Sequence, residues 1–253
     1  MNKLGVESII SNICGKNKDM KSHLFSADMK LADVIHADYS LLLLLHRFGI
    51  NLGFGDKTVW ECCEANHVSC TLFLMICNVY SNEQYLPTEK EIEDIGTDVD
   101  QLIAYLKNSH SYYLENRMFS IQEQLKEISE GCEQQHQQIL NLFFNEYKNE
   151  VIRHFDYEEM TVFPYISNMV KGARPGDYEI GVFRENHSNI DDKLNDLKNI
   201  IMKYLPGDTL SDMRIRVLFG IFALEEDLSK HSLIEDKILV PLVMKLEQRY
   251  AKQ

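Results

Sequence analysis

Two stretches decide how this chain folds: His154-Phe-Asp-Tyr-Glu158-Glu-Met-Thr-Val-Phe163-Pro164 and His231-Ser-Leu-Ile-Glu235-Asp-Lys-Ile-Leu-Val240-Pro241. In each, histidine and glutamate stand four positions apart, the spacing that stacks two side chains on one face of an α-helix. A single pair of this kind is weak evidence, because about one arises by chance in a chain with this many histidines and glutamates. The shared register is stronger. His154 and His231, Glu158 and Glu235, and Pro164 and Pro241 are all 77 residues apart, and so are the isolated His110 and His187. One offset relating four pairs predicts two copies of a two-helix unit, each offering His, His and Glu.

Outward from these stretches, apolar residues recur at three- and four-residue spacing over 99–129, 132–170, 178–204 and 210–250, as amphipathic helices require. Gly131, the loop of 172–176 and Pro206-Gly207 separate them, with Asp177 and Asp208 at the N-cap positions of the last two. The expectation is an all-α protein built on an up-down-up-down four-helix bundle. At about 1.5 Å per residue, His110 and His154 lie at nearly equal heights on either side of Gly131, and His187 and His231 match about Pro206-Gly207 to roughly one turn. The crossing from the second to the third helix balances only if the loop of 171–176 doubles back.

Before the bundle, 33–46 reads as one short helix stopped by Gly49, and 58–80 as a second helical stretch broken near Asn66. The segment 81–98 is polar, acidic and contains Pro87, the composition of a linker. The expected division is a small N-terminal helical domain of residues 1–86 and a bundle of residues 97–253.

The composition, with 45% hydrophobic residues in 253, excludes disordered and collagen-like classes, and a net charge of −13 repels phosphate backbones, so no nucleic-acid partner is expected. No apolar run approaches the roughly 20 residues that span a bilayer, and the start of the chain lacks the pattern of an export signal. Residence in the cytoplasm is expected, with no membrane partner and the six cysteines as reduced, mostly buried thiols. Cys63, Cys70 and Cys77, seven apart, would share a helix face.

Four imidazoles and two carboxylates at one level of a bundle are costly to bury unless a cation compensates them. Imidazole suits iron, zinc and copper, while carboxylates bias toward harder metals and can bridge two ions. A dinuclear centre with two terminal histidines per metal and two bridging glutamates uses all six groups and leaves positions open for an exogenous ligand. Tyr113, three residues after His110, could face the same pocket, and Glu159 reads as a solvated or supporting acid.

His110, His154-x-x-x-Glu158, His187 and His231-x-x-x-Glu235, with Phe163-Pro164 and Val240-Pro241 following, resemble the hemerythrin-like domain of the repair of iron centres family of iron-sulfur cluster repair proteins. The resemblance implies that these six residues ligate two non-haem irons, bridged by both glutamates and an oxo or hydroxo group. It further implies repair of iron-sulfur clusters damaged by oxidative or nitrosative stress, with damaged iron-sulfur proteins as clients. The alternative is a sensor or scavenger of O2 or NO on the same centre. Oxygen-carrying hemerythrins have a further histidine, and the residue four after His187 is Asp191. Leu31-Ala32-Asp33-Val34 and Phe48-Gly-Ile-Asn-Leu-Gly53-Phe54-Gly-Asp-Lys57 resemble the family's N-terminal domain, in which a Cys-Cys pair usually occupies the positions of Gly53-Phe54. The apolar stripe of that domain is expected to pack on the bundle or to form a homodimer.

Overall fold

The computed structural model describes residues 24–130, 132–172, 178–186, 191–205 and 211–251. Among them the protein is all-α, with one isolated antiparallel bridge, Lys30 to Thr58, and no strand. No described helix is long and apolar enough to cross a membrane.

The N-terminal helices are α1 (Leu31–Ala37), α2 (Leu42–Arg47), α3 (Val59–Ala65) and α4 (Cys70–Ser81). The single helix expected over 33–46 is interrupted at Asp38, whose extended backbone and side chain, accepting from the Ser40 N–H at 3.0 Å, start a 3-10 turn at Tyr39–Leu41. The break near Asn66 is where the sequence places it, with His67 at φ 57°. The stretch expected as a linker contains a helix, α5 (Glu89–Asp94). Thr88 and Glu91 close a reciprocal capping box on it, and Ile92 and Ile95 turn inward.

In the bundle, Val99–Ser111, Tyr112–Met118 and Phe119–Ser129 run on as α6; Gln134–Tyr157, Glu158–Val162 and Phe163–Val170 form α7. Ile180–Asn186 is α8, Asp191–Asn199 with Ile200–Tyr204 is α9, and Ser211–Ile234, Glu235–Leu239 and Val240–Ala251 form α10. The expected caps Asp177 and Asp208 lie outside the described residues. The middle segments of α6, α7 and α10 are wide π turns. In α7 and α10 the cause is legible: Pro164 and Pro241 have no N–H to give, and each ring crowds the preceding turn. The N–H just before each proline therefore bonds five residues back, Phe163 to the Glu158 carbonyl and Val240 to the Glu235 carbonyl.

Two apolar cores fill the protein. One joins the N-terminal helices to one end of the bundle, from Leu31, Leu44 and Phe73 through Leu106, Phe163, Ile238 and Val243. The other, around Tyr113, Ile121, Phe144 and Leu224, fills the far end. On α6 the first core ends at Leu106 and the second starts at Tyr113; on α7 the exchange falls between Phe155 and Val162; on α10 it falls between Leu224 and Ile234. His110, Glu158 and His231 occupy those three intervals. The repeated motif thus marks the layer where one apolar core stops and the next begins.

Candidate metal centre

His110 of α6, Glu158 of α7, and His231 and Glu235 of α10 are buried together, each offering a ligand atom within 4.8 Å of all the others. Both glutamates are fully buried. The two oxygens of Glu158 lie between imidazoles of different helices: Oε1 is 2.7 Å from His154 Nε2 and Oε2 is 3.0 Å from His110 Nε2. On α10, His231 Nε2 is 3.3 Å from Glu235 Oε1 and also 3.3 Å from His110 Nε2.

These contacts are close, yet neither oxygen of Glu158 has a hydrogen bond of ordinary geometry. Two bonds of about 2.1 Å to one ion, at right angles, hold their donor atoms about 3 Å apart, the spacing seen here. Lone pairs converging at this spacing in a dry pocket suit a cation. His110 also shows the support expected of a metal ligand. Its Nδ1 is 2.9 Å from Glu159 Oε1, which fixes the ring and leaves Nε2 facing the pocket. Phe155 stacks on the same ring at 3.9 Å. Burial pushes the His110 imidazolium down, but the hydrogen bonds and charges of Glu158 and Glu159, with the charge of Glu235, outweigh it and raise the group above the ordinary histidine value.

Of the six residues singled out in the sequence, the structure brings four into one cluster and sets His154, 15% exposed, against Glu158 at its edge. His187 and the side chain of Asp191 lie outside the described residues. Tyr113 flanks the centre without reaching into it: its ring stands edge-on to His231 at 5.7 Å, and its hydroxyl donates to the Asp227 carbonyl at 3.0 Å.

One neighbour was not legible in the sequence. Arg47, at the end of α2, is 1% exposed and pairs with Asp227 of α10 at 2.5 Å, one turn before His231. The other Asp227 oxygen accepts from the Tyr80 hydroxyl at 2.7 Å. The Arg47 guanidinium lies 5.0 Å from the centre of the Tyr113 ring, and Asn108 of α6 donates to the Arg47 carbonyl at 2.8 Å. The helical position of Asp227, four before His231, is the single clue the sequence held; nothing local in His46-Arg47-Phe48 marks Arg47 as an interior residue.

Helices that bring buried histidine and glutamate from three sides to one point make this a metal-binding helical bundle. The chain belongs to the hemerythrin family: the model of the hemerythrin HHE cation-binding domain matches residues 101–243, more than half of its length. No curated protein and no solved structure matches it.

Proposed function

We propose that the bundle is a non-haem di-iron centre held by His110, His154, Glu158, His187, His231 and Glu235, with both glutamates bridging, and that it acts in the repair of iron-sulfur clusters damaged by oxidative or nitrosative stress. The observation that carries the metal reading is Glu158, fully buried with its two oxygens turned to imidazoles of different helices. That is the disposition a bridging carboxylate needs. Iron bound there would supply a redox-active Lewis acid with positions open to small exogenous ligands. The protein's own part is to hold the donors apart, through Glu159 on His110 and the π turns at Glu158 and Glu235, and to keep water out with Phe155, Tyr113 and Phe163. Residues 1–86 are proposed as a small N-terminal domain docked on the bundle of 97–253, consistent with a family match that starts at residue 101.

Anaerobic iron loading of the full chain, followed by metal analysis, tests the centre. Two irons per chain are expected, with loss of the pair in Glu158→Ala and Glu235→Ala and weaker retention in His110→Ala. A chain that stays metal-free, or equal iron in the wild type and both glutamate variants, would overturn it.

A second reading, a sensor or scavenger of O2 or NO, is favoured by the N-terminal loop. Gly53 sits at φ 93°, where a cysteine would be strained, so this loop is not built for the thiol pair usual in the repair family. Recovery of activity in an oxidised iron-sulfur protein, dependent on the loaded chain, supports repair. Tight gas binding without such recovery supports the second reading.

A further inference from the structure

The histidines that meet in the bundle are not supported alike. Glu159 lies on the Nδ1 of His110 and fixes that ring. His231 is buried as deeply, yet its Nδ1 has no hydrogen-bond partner. Tyr113 and Phe155 stand edge-on to it at 5.7 and 6.0 Å, contacts that pack the ring without fixing it through a hydrogen bond. The helix beyond holds it loosely, because α10 widens into the π turn of Glu235–Leu239. What fixes His231 acts from the preceding turn.

That turn is anchored at Asp227. Its carboxylate accepts from Arg47 of α2 at 2.5 Å and from the Tyr80 hydroxyl of α4 at 2.7 Å. Burial and the charge of Asp227 push the Tyr80 hydroxyl up, so it stays a donor. The Asp227 carbonyl, which in an α-helix takes the His231 N–H, also accepts the Tyr113 hydroxyl at 3.0 Å. Arg47 reaches the other histidine helix through its main chain: Asn108 of α6, two residues before His110, donates to the Arg47 carbonyl at 2.8 Å. One residue from outside the bundle is thus tied by its backbone to the helix of His110 and by its side chain to the helix of His231. Those two imidazoles bring their Nε2 atoms to 3.3 Å. A buried ion pair is a weak source of stability, since apolar residues of similar volume commonly do as well; what this one adds is a single fixed arrangement of three helices.

We propose that Arg47 is a positioning residue of the metal centre, setting the separation of His110 and His231 by bridging Asn108 on α6 and Asp227 on α10. The proposal rests on the reading of His110 and His231 as metal ligands. Donor atoms must be held to within about 0.5 Å of the productive geometry, and they are held so only when their own supports are fixed. The N-terminal helices then belong to the centre without giving it a donor atom.

The test is competition between the full chain and a chelator for ferrous iron under anaerobic conditions. The deciding variant combines Arg47→Met with Asp227→Leu, which strands neither charge and so keeps the fold while removing the bridge. Its iron affinity should lie at least about tenfold below that of the wild type, with a cooperative melting transition retained in the metal-free chain. Hydrogen exchange in the same metal-free chain should quicken at the His231 amide by a factor at least about tenfold larger than at Ile221 in the far core. Arg47 meets Asp227 through one nitrogen, Nη2, so the compact ammonium of Arg47→Lys can remake the contact and should restore most of the affinity. Asn108→Ala, at an exposed position, takes away only the tie to α6 and should weaken iron binding severalfold, a measurement that asks nothing of the core variant. A wild type that takes up no iron overturns the ligand reading and this proposal with it. A wild type that loads iron, beside a double variant or an Asn108→Ala chain that binds it as tightly, leaves the ligand reading standing and refutes the positioning role of Arg47.

Discussion

The buried pair Arg47–Asp227 makes a quantitative prediction, because both charges are almost wholly removed from water and only part of their hydrogen-bonding capacity is used. Arg47 Nε and Nη1 have no hydrogen-bond partner, and Asp227 holds Arg47 on one oxygen and Tyr80 on the other. Removing one partner of a buried pair costs about 3–5 kcal/mol, because the other charge is left uncompensated. Asp227→Leu also orphans the Tyr80 hydroxyl, at about 1–3 kcal/mol more. Arg47→Met leaves Asp227 with Tyr80 alone and should fall within the pair range, about 3–5 kcal/mol. The double variant replaces both charges with apolar volume, and such replacements are commonly neutral or stabilising. It is therefore expected to lie within about 2 kcal/mol of the wild type, offset mainly by the stranded Tyr80 hydroxyl. The coupling between the two sites should then be several kcal/mol. Urea unfolding of the metal-free chain at neutral pH, followed by two probes with a common m-value, measures it. Single-variant losses that add within about 0.5 kcal/mol would refute the reasoning, because independent sites behave that way.

Four further outcomes are expected. Glu159→Ala removes the support on His110 Nδ1 and should weaken metal binding about 10–100-fold at unchanged helicity, read by competition with a chelator. Pro164→Ala and Pro241→Ala supply the missing N–H groups, so the metal-free chain should melt higher while metal binding weakens; scanning calorimetry and metal analysis check the two effects. Gly53→Ala, forced to φ 93°, should cost about 1–2 kcal/mol in urea unfolding, whereas Gly181→Ala, inside a helix with nothing within 4 Å of the added carbon, should gain about 0.5–1 kcal/mol. Deleting residues 1–85 strips Leu31, Leu44, Phe73 and their neighbours from the core that continues to Val243, so the remaining bundle should bind an apolar dye and lose a sharp melting transition.

The bundle was readable because helical period and a repeated register are local signals, and they carry to every element that holds the site. His110, Glu158, His231 and Glu235 come together as the common offset implies, and the two prolines explain why the chain widens beside both glutamates. Other features depend on tertiary contact, to which periodicity is blind. Asp38 breaks a helix that the apolar run of leucines would otherwise continue, through a side chain bonding its own backbone two residues on. Thr88-x-x-Glu91 was a readable capping signal, masked by the acidic, proline-containing stretch around it. The Arg47–Asp227 contact joins residues 180 positions apart, and no local pattern announces it.

The position of that contact bears on what can neutralise the centre. Glu158 and Glu235 are two fully buried carboxylates between apolar cores, and carboxylates so placed must be protonated or meet positive charge. Arg47 is a buried cation tied to this layer through Asp227, one turn before His231, yet its charge is engaged by Asp227 and by the faces of Tyr112 and Tyr113. Lys107 is turned toward the Phe163 ring at 6.0 Å. His110 can carry one proton, held between Glu158 and Glu159, and offsets one charge. A bundle built for stability alone would carry leucines here, as the layers on either side carry Leu106 and Leu224. Keeping ionisable groups instead is explained by a positive ion that binds the folded chain and returns the cost of burying them. Such an ion should raise the melting temperature in proportion to the logarithm of its concentration above the dissociation constant.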